Sequence, residues 1–149
     1  MESLTSKLFI SSYNSTGFGI SAKNYIRTLL LFSDILCVQE HFLLDSKDKN
    51  YSNIDNLKID LGEKHDMFIV PAHKDPNQVS KGRGKGGLLT LWNKSLTKYV
   101  SKVDSANFRI QGAKFSFPDA HLLVINANIL ATQGSITLTR LRYYPYSLT

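Results

Sequence analysis

Apolar residues along the chain fall into short blocks separated by polar turns, with no long heptad or repeat. Asp34-Ile35-Leu36-Cys37-Val38-Gln39-Glu40-His41 sets four consecutive apolar residues between a polar start and an acidic finish, the pattern of a strand covered on both faces. Leu8-Phe9-Ile10, running into Ser11-Ser12-Tyr13-Asn14, predicts an earlier strand whose far end is polar. Between the two, Tyr25, Ile26, Leu29, Leu30 and Phe32 fall on one helical face, with Lys23, Asn24, Arg27 and Thr28 on the other and Ser21 as the expected N-cap. A strand, a helical crossover and a second buried strand make a βαβ-like unit. Asn14 and Glu40 are then expected on the same edge of the sheet.

Farther along, Asp45 to Glu63 reads as a polar surface loop with one short helix around Ile54 to Leu61, and Met67-Phe68-Ile69-Val70 as a third strand closed by Pro71. Leu88-Leu89-Thr90-Leu91-Trp92 follows as another strand. Lys98 to Val103, Phe108 to Phe117 and His121 to Asn126 then predict an antiparallel meander. Phe108 and Ile110 are out of step with Phe115 and Phe117, so a bulge or bend is expected near Gly112. The run Leu122-Leu123-Val124-Ile125 is expected to end at Asn126-Ala127-Asn128, delivering amide side chains to a strand end. Gln133 to Tyr146 alternates weakly and carries no catalytic signature.

Composition narrows the class. A chain of 149 residues, 42% hydrophobic and 20% charged, suits a single globular domain and not a disordered one. Lys and Arg total 18 against 12 Asp and Glu, a net +6 that favours a polyanionic partner such as DNA. The single cysteine, Cys37, sits inside the apolar strand, so no disulfide framework or thiolate metal site can be built within the chain, and no disulfide partner is expected. The N-terminal residues lack a basic segment followed by a long apolar one, and no apolar run is long enough to span a bilayer. These features predict an intracellular protein without a membrane partner, and leave nucleus or cytoplasm and the oligomeric state open.

Chemistry concentrates at strand ends. Gln39-Glu40-His41 places a carboxylate and an imidazole where α/β sheets deliver ligand-binding side chains, although a strand surfacing into a solvated loop would look the same. Asn14 is either a site residue or a turn asparagine bonding its own backbone. His65 and His73 read as solvated loop histidines. Gly82, Gly84 and Gly87 satisfy G-x-G-x-x-G but lead into a strand where a dinucleotide site needs a helix, and no kinase or Walker A partner motif follows. What survives is a basic loop, Lys81, Arg83 and Lys85, able to meet phosphates without reading bases, or a hairpin-like connector bearing solubilising charge.

Taken in order, Ser12-Tyr13-Asn14 with Gly17, Asp34 through Glu40, Gly84-Lys85-Gly86-Gly87 before Trp92, and Phe108 through Asn126 resemble the endonuclease/exonuclease/phosphatase superfamily, most closely the N-terminal endonuclease domain of non-LTR retrotransposon polyproteins. The resemblance covers roughly Leu8 to Asn126. It implies a two-sheet α/β sandwich with a mixed sheet and helices on the outer face. It also gives Glu40 the role of Mg²⁺ ligand, and Asn14 a place in the network around the scissile phosphate of DNA. Gln39 would orient the strand end, and His41 matches no catalytic histidine of the family. Three family features are missing: the tyrosine of Asn-x-Tyr-x-x-Pro, since Ala127 and Asn128 follow Asn126; a Gly-Asp-x-Asn motif, which supplies the aspartate that activates the nucleophile; and the terminal Asp-His pair. Groups of that kind contribute powers of ten each. The expectation is therefore a C-terminally truncated, inactive relative: residues 1–130 as the N-terminal part of the domain, 131–149 as a divergent tail, and one sheet's inner face deprived of its partner. The alternatives are a non-catalytic nucleic-acid-binding module, or a fragment of a nuclease completed by a second chain.

Overall fold

The computed structural model describes residues 7–45, 53–74, 84–131 and 134–145. β1 (Ile10–Asn14), α1 (Ile20–Leu30) and β2 (Ile35–Gln39) form the βαβ unit, and β1 and β2 run parallel with Asn14 in register with Gln39. α1 begins at Ile20 after Gly19, two residues earlier than a Ser21 cap would place it, because the Lys23 N–H already donates to the Gly19 carbonyl. α2 (Asp55–Leu61) follows the polar loop, and β3 (His65–Val70) and β4 (Leu88–Asn93) form an antiparallel pair. β4 also pairs antiparallel with β2, giving a mixed sheet of order β1-β2-β4-β3.

A 3-10 helix, Lys94–Tyr99, leads to a second, antiparallel sheet: β5 (Val100–Val103), β6 (Ile110–Ser116), β7 (Ala120–Ala131) and β8 (Gly134–Pro145), in that order. The chain is thus mixed α/β with two sheets, and the expectation of a first sheet lacking its partner is corrected. Two further expectations change here. β6 pairs with β7 without a break from Ile110 to Ser116, so there is no bulge at Gly112. The change of phase is met instead by leaving Ile110 38% exposed and turning Gln111 inward at 2%. β7 does not end at Asn126 but continues to Ala131, because β8, drawn from the weakly alternating tail, pairs with it along its whole length.

The strand period sorts each run into two faces. Leu36, Val38, Leu89 and Leu91 face the helices and bury with Ile26, Leu57 and Leu61. Ile35, Cys37 and Trp92 face the second sheet and bury with Ala113, Phe115, Leu122 and Val124. Four successive apolar residues in β2 are needed because it lies between both layers. The ring of Trp92 meets Phe68 and Phe115 edge-on at centroid distances of 4.6 and 6.1 Å. Each large side chain covered in this way contributes roughly 1.5–3 kcal/mol. Burial of Cys37 pushes its thiol up to about 12, so it stays a neutral core residue. No helix among the described residues is long and apolar enough to cross a membrane.

Candidate functional site

Between the sheets the apolar layer gives way to amides. On β2 and β4 the positions after Cys37 and before Trp92 on the inward face are Gln39 and Thr90, and opposite them lie Gln111 and Asn126, all four at most 2% exposed. The Nε2–H of Gln39 donates to Asn126 Oδ1 at 2.7 Å and to Ser12 Oγ at 3.1 Å. Asn126 Nδ2–H in turn donates to the carbonyls of Val38 (3.2 Å) and Leu89 (3.0 Å) and to Thr90 Oγ1 (3.3 Å), and Thr90 donates to Gln111 Oε1 at 2.6 Å. One asparagine of the second sheet therefore grips two adjacent strands of the first. Its neighbour on the same face, Asn128, donates from Nδ2 to Glu40 Oε1 at 3.2 Å. The Asn128 Oδ1 atom is buried and has no hydrogen-bond partner among the described residues.

Glu40 stands just past β2, half-buried, with φ +58°, a left-handed backbone that costs a non-glycine residue of order 1–2 kcal/mol. Thr16 and Phe42, close to it in the chain or across the strand ends, also have positive φ. The Glu40 backbone is held from both sides: its N–H donates to Gly87 O at 2.9 Å, and its carbonyl accepts from Gly17 N–H at 2.7 Å. Asn14 ends β1 beside it, and its Oδ1 accepts from Thr16 N–H at 3.2 Å, which is the turn role open to it from the sequence. Asn14 and Glu40 thus share one sheet edge, as the βαβ unit requires, and Asn128 completes the group from the opposite sheet.

His41 is a structural residue. It is fully buried, its Nε2–H donating to the Val70 carbonyl at 3.1 Å while Nδ1 accepts from Leu43 N–H at 3.0 Å, so the ring is neutral. Burial pulls its pKa down to about 4, more than its backbone hydrogen bonds restore. The glycines before β4 are explained by the same ring. A Cβ on Gly87, whose φ is +96°, would lie 2.5 Å from His41 Cε1. Lys85 is exposed and bridges His73 across the base of the β3–β4 connection, the hairpin-like arrangement, and Lys81 and Arg83 lie outside the described residues.

No group of three or more His, Cys, Asp or Glu residues able to hold a metal occurs among the described residues. At the strand edge the donor set is one carboxylate, Glu40, and one orphaned amide oxygen, Asn128 Oδ1. A hard cation such as Mg²⁺ keeps several waters and needs only one or two carboxylates, so this set suits it, whereas a softer metal would need nitrogen or sulfur ligands. Sequence reasoning reached Asn14 and Glu40 but missed Thr90 and Gln111. The available signal was a polar residue on the inward phase of an otherwise apolar strand. No family model matches the sequence, and no curated protein matches it either.

Proposed function

We propose that the chain corresponds to the N-terminal part of an endonuclease/exonuclease/phosphatase-like domain of the non-LTR retrotransposon type, and that it binds a divalent cation at Glu40 without cleaving DNA by itself. The observation that carries this reading is the Asn128–Glu40 hydrogen bond, which aims a strained, half-buried carboxylate and an unpartnered amide oxygen at one edge of a two-sheet α/β structure. Backbone strain of this kind persists where the surrounding structure over-determines a residue, and it concentrates at functional sites. Glu40 and Asn128 would hold the ion, with water filling the other positions. Bound there, Mg²⁺ supplies charge stabilisation to a phosphate and its leaving oxygen. Asn128 fixes the carboxylate rotamer, and Asn14, engaged with Thr16, shapes the turn beside it. The sequence offers no Gly-Asp-x-Asn aspartate to take a proton from the attacking water and no Asp-His pair to polarise the phosphate.

The test uses Mn²⁺ as a paramagnetic probe, with amide resonances near Glu40 and Asn128 followed in the wild type and in Glu40→Gln. Selective broadening that disappears in the variant supports the cation site, and unbroadened resonances at millimolar Mn²⁺ refute it. In parallel, supercoiled plasmid is incubated with Mg²⁺ and with EDTA. Unchanged plasmid is expected. Metal-dependent nicking abolished by Glu40→Gln would overturn the inactive assignment.

A further inference from the structure

Each sheet ends in a strand with an open side, β3 in the first and β5 in the second, and the two line one groove of about 590 Å³. Lys58 and Gly62 border it on the α2 side, Val100 and Lys102 on the β5 side, and Phe68 lies between them. The groove is at the far end of the strands from Glu40. His65 is in register with Asn93 at the end of β4, whereas Glu40 bonds Gly87 just before that strand begins.

The backbone of β3 has a free side. Lys94 N–H donates to the Lys64 carbonyl at 3.2 Å, and bonded and non-bonded pairs alternate along an antiparallel ladder. Asp66 and Phe68 therefore spend their backbone groups on β4, while the N–H and C=O groups of His65, Met67 and Ile69 point away from it. Among the described residues, no backbone group bonds these from the open side. Folded proteins protect such an edge with a lysine, a proline, a bulge or an inward-pointing charge. β5 has that protection: Lys102 lies opposite the buried Ala113, which gives it an inward phase, and yet it is exposed. β3 pairs with β4 in unbroken register and contains no lysine or proline. Its inward-phase carboxylate, Asp66, accepts from the Thr97 hydroxyl, which itself accepts from Trp92 Nε1–H at 3.0 Å, so that charge is held within the fold.

We propose that the β3 edge takes up an extended, acidic peptide segment of a partner protein as a further strand. Main-chain hydrogen bonds to His65, Met67 and Ile69 supply the affinity, and the side chains of the added strand fall alternately to the two walls. Charge complementarity selects an acidic segment. Lys58 and Lys102, both exposed, stand one on each wall, and the described lining offers no carboxylate beyond the engaged Asp66. Val100 and Phe68 give apolar side chains a footing between the cations. The same charges disfavour a second copy of the chain, since pairing β3 with its own copy brings two like-charged walls together. The groove needs no metal, so it succeeds or fails independently of the cation site.

The experiment uses the full chain and a fluorescent peptide of alternating glutamate and valine, read by anisotropy, with the lysine and valine counterpart as control. The acidic peptide should bind and the basic one should not. Two further forms carry N-methyl groups on alternate residues, one on every glutamate and the other on every valine. An added strand presents one set of N–H groups to β3 and the other to solvent, so one form should bind within about twofold of the parent and the other should lose about tenfold or more. In hydrogen exchange followed by NMR with the groove about 90% filled, the amides of His65, Met67 and Ile69 should slow about tenfold, while those of Asp66 and Phe68 change little. Lys58→Glu/Lys102→Glu, at two exposed positions, should weaken binding about tenfold, and Lys114→Glu, exposed on the other face of the second sheet, should leave it near wild type. The methylated peptides need no protein variant, so they decide the matter should the double variant misfold. The proposal is overturned by no binding of the acidic peptide, by equal binding of the two methylated forms, by slowed exchange elsewhere than at β3, or by slowing at β3 that rises with protein concentration in the absence of peptide, which would assign the edge to a second copy.

Discussion

Asn126→Ala tests whether the two sheets are held together by a specific polar contact or by apolar contact alone. The wild-type amide is fully buried and donates to Val38 O, Leu89 O and Thr90 Oγ1 while accepting from Gln39 Nε2. Alanine removes all of these at once. Gln39 retains Ser12 as a partner, Thr90 retains Gln111, and the two carbonyls retain the N–H groups of the β2–β4 ladder, in which Val38 and Leu89 are opposite, so the loss is of four directional contacts, the short 2.7 Å one among them. A lost hydrogen bond costs about 0.5–1.5 kcal/mol net where its partner keeps another, and the missing atoms leave a void, so about 3–4 kcal/mol is expected in all. Against a typical stability of about 5–15 kcal/mol this is a large fraction. With a urea m-value near 2 kcal/mol/M, the unfolding midpoint should fall by about 1.5–2 M at unchanged m.

The comparison that gives this meaning is Asn128→Ala. Asn128 has one hydrogen bond in hand, to Glu40, and an oxygen that is already unpartnered, so its loss should cost under about 1 kcal/mol. Both variants are measured by circular dichroism in urea. A midpoint for Asn126→Ala no lower than that of Asn128→Ala would refute the idea that amide contacts fix the sheets.

Three further outcomes are expected. His41 has a native pKa of about 4 against an ordinary 6.5, so the unfolded chain binds more protons between those values. Stability from this residue is full above pH 6.5, is lost as pH falls towards 4 and levels off below, about 3 kcal/mol in total. His41→Gln should therefore show a flatter decline of urea midpoint with acid than the wild type, and parallel curves would refute the assignment. Gly87→Ala should cost more than about 3 kcal/mol, from positive φ together with the His41 ring, whereas Gly86→Ala, with φ +78° and its nearest atom at 3.9 Å, should cost about 1–2; equal thermal shifts would contradict the close packing. Glu40→Asn places a residue that tolerates left-handed backbone at φ +58°, so it should gain up to about 1 kcal/mol while abolishing the Mn²⁺ effect, and a loss of stability would mean that the glutamate serves the fold.

What the sequence revealed and concealed has a physical explanation in these same residues. The four apolar residues of β2 are legible because a strand between two layers has no polar face, and the common edge of Asn14 and Glu40 follows from one local crossover. The bulge expected at Gly112 came from reading Ile110 as inward; nothing near it in the sequence shows that Gln111 takes the buried place, because its partner Thr90 lies 21 residues away. Gln39 and Asn126 are 87 residues apart, and neither their apolar neighbours nor local turn signals mark them as a pair. Their consequence for the site is direct. An apolar layer tolerates sliding, since its contacts are non-directional, but Asn126 bonds particular carbonyls of β2 and β4 and so sets the offset between the sheets. Asn128 is two residues farther along the same face of the same strand, and Glu40 is two residues beyond Val38. The geometry that brings the Asn128 amide to the Glu40 carboxylate is therefore fixed by the contact of Asn126 with Val38, and the candidate site inherits its order from a buried hydrogen bond that takes no part in its chemistry.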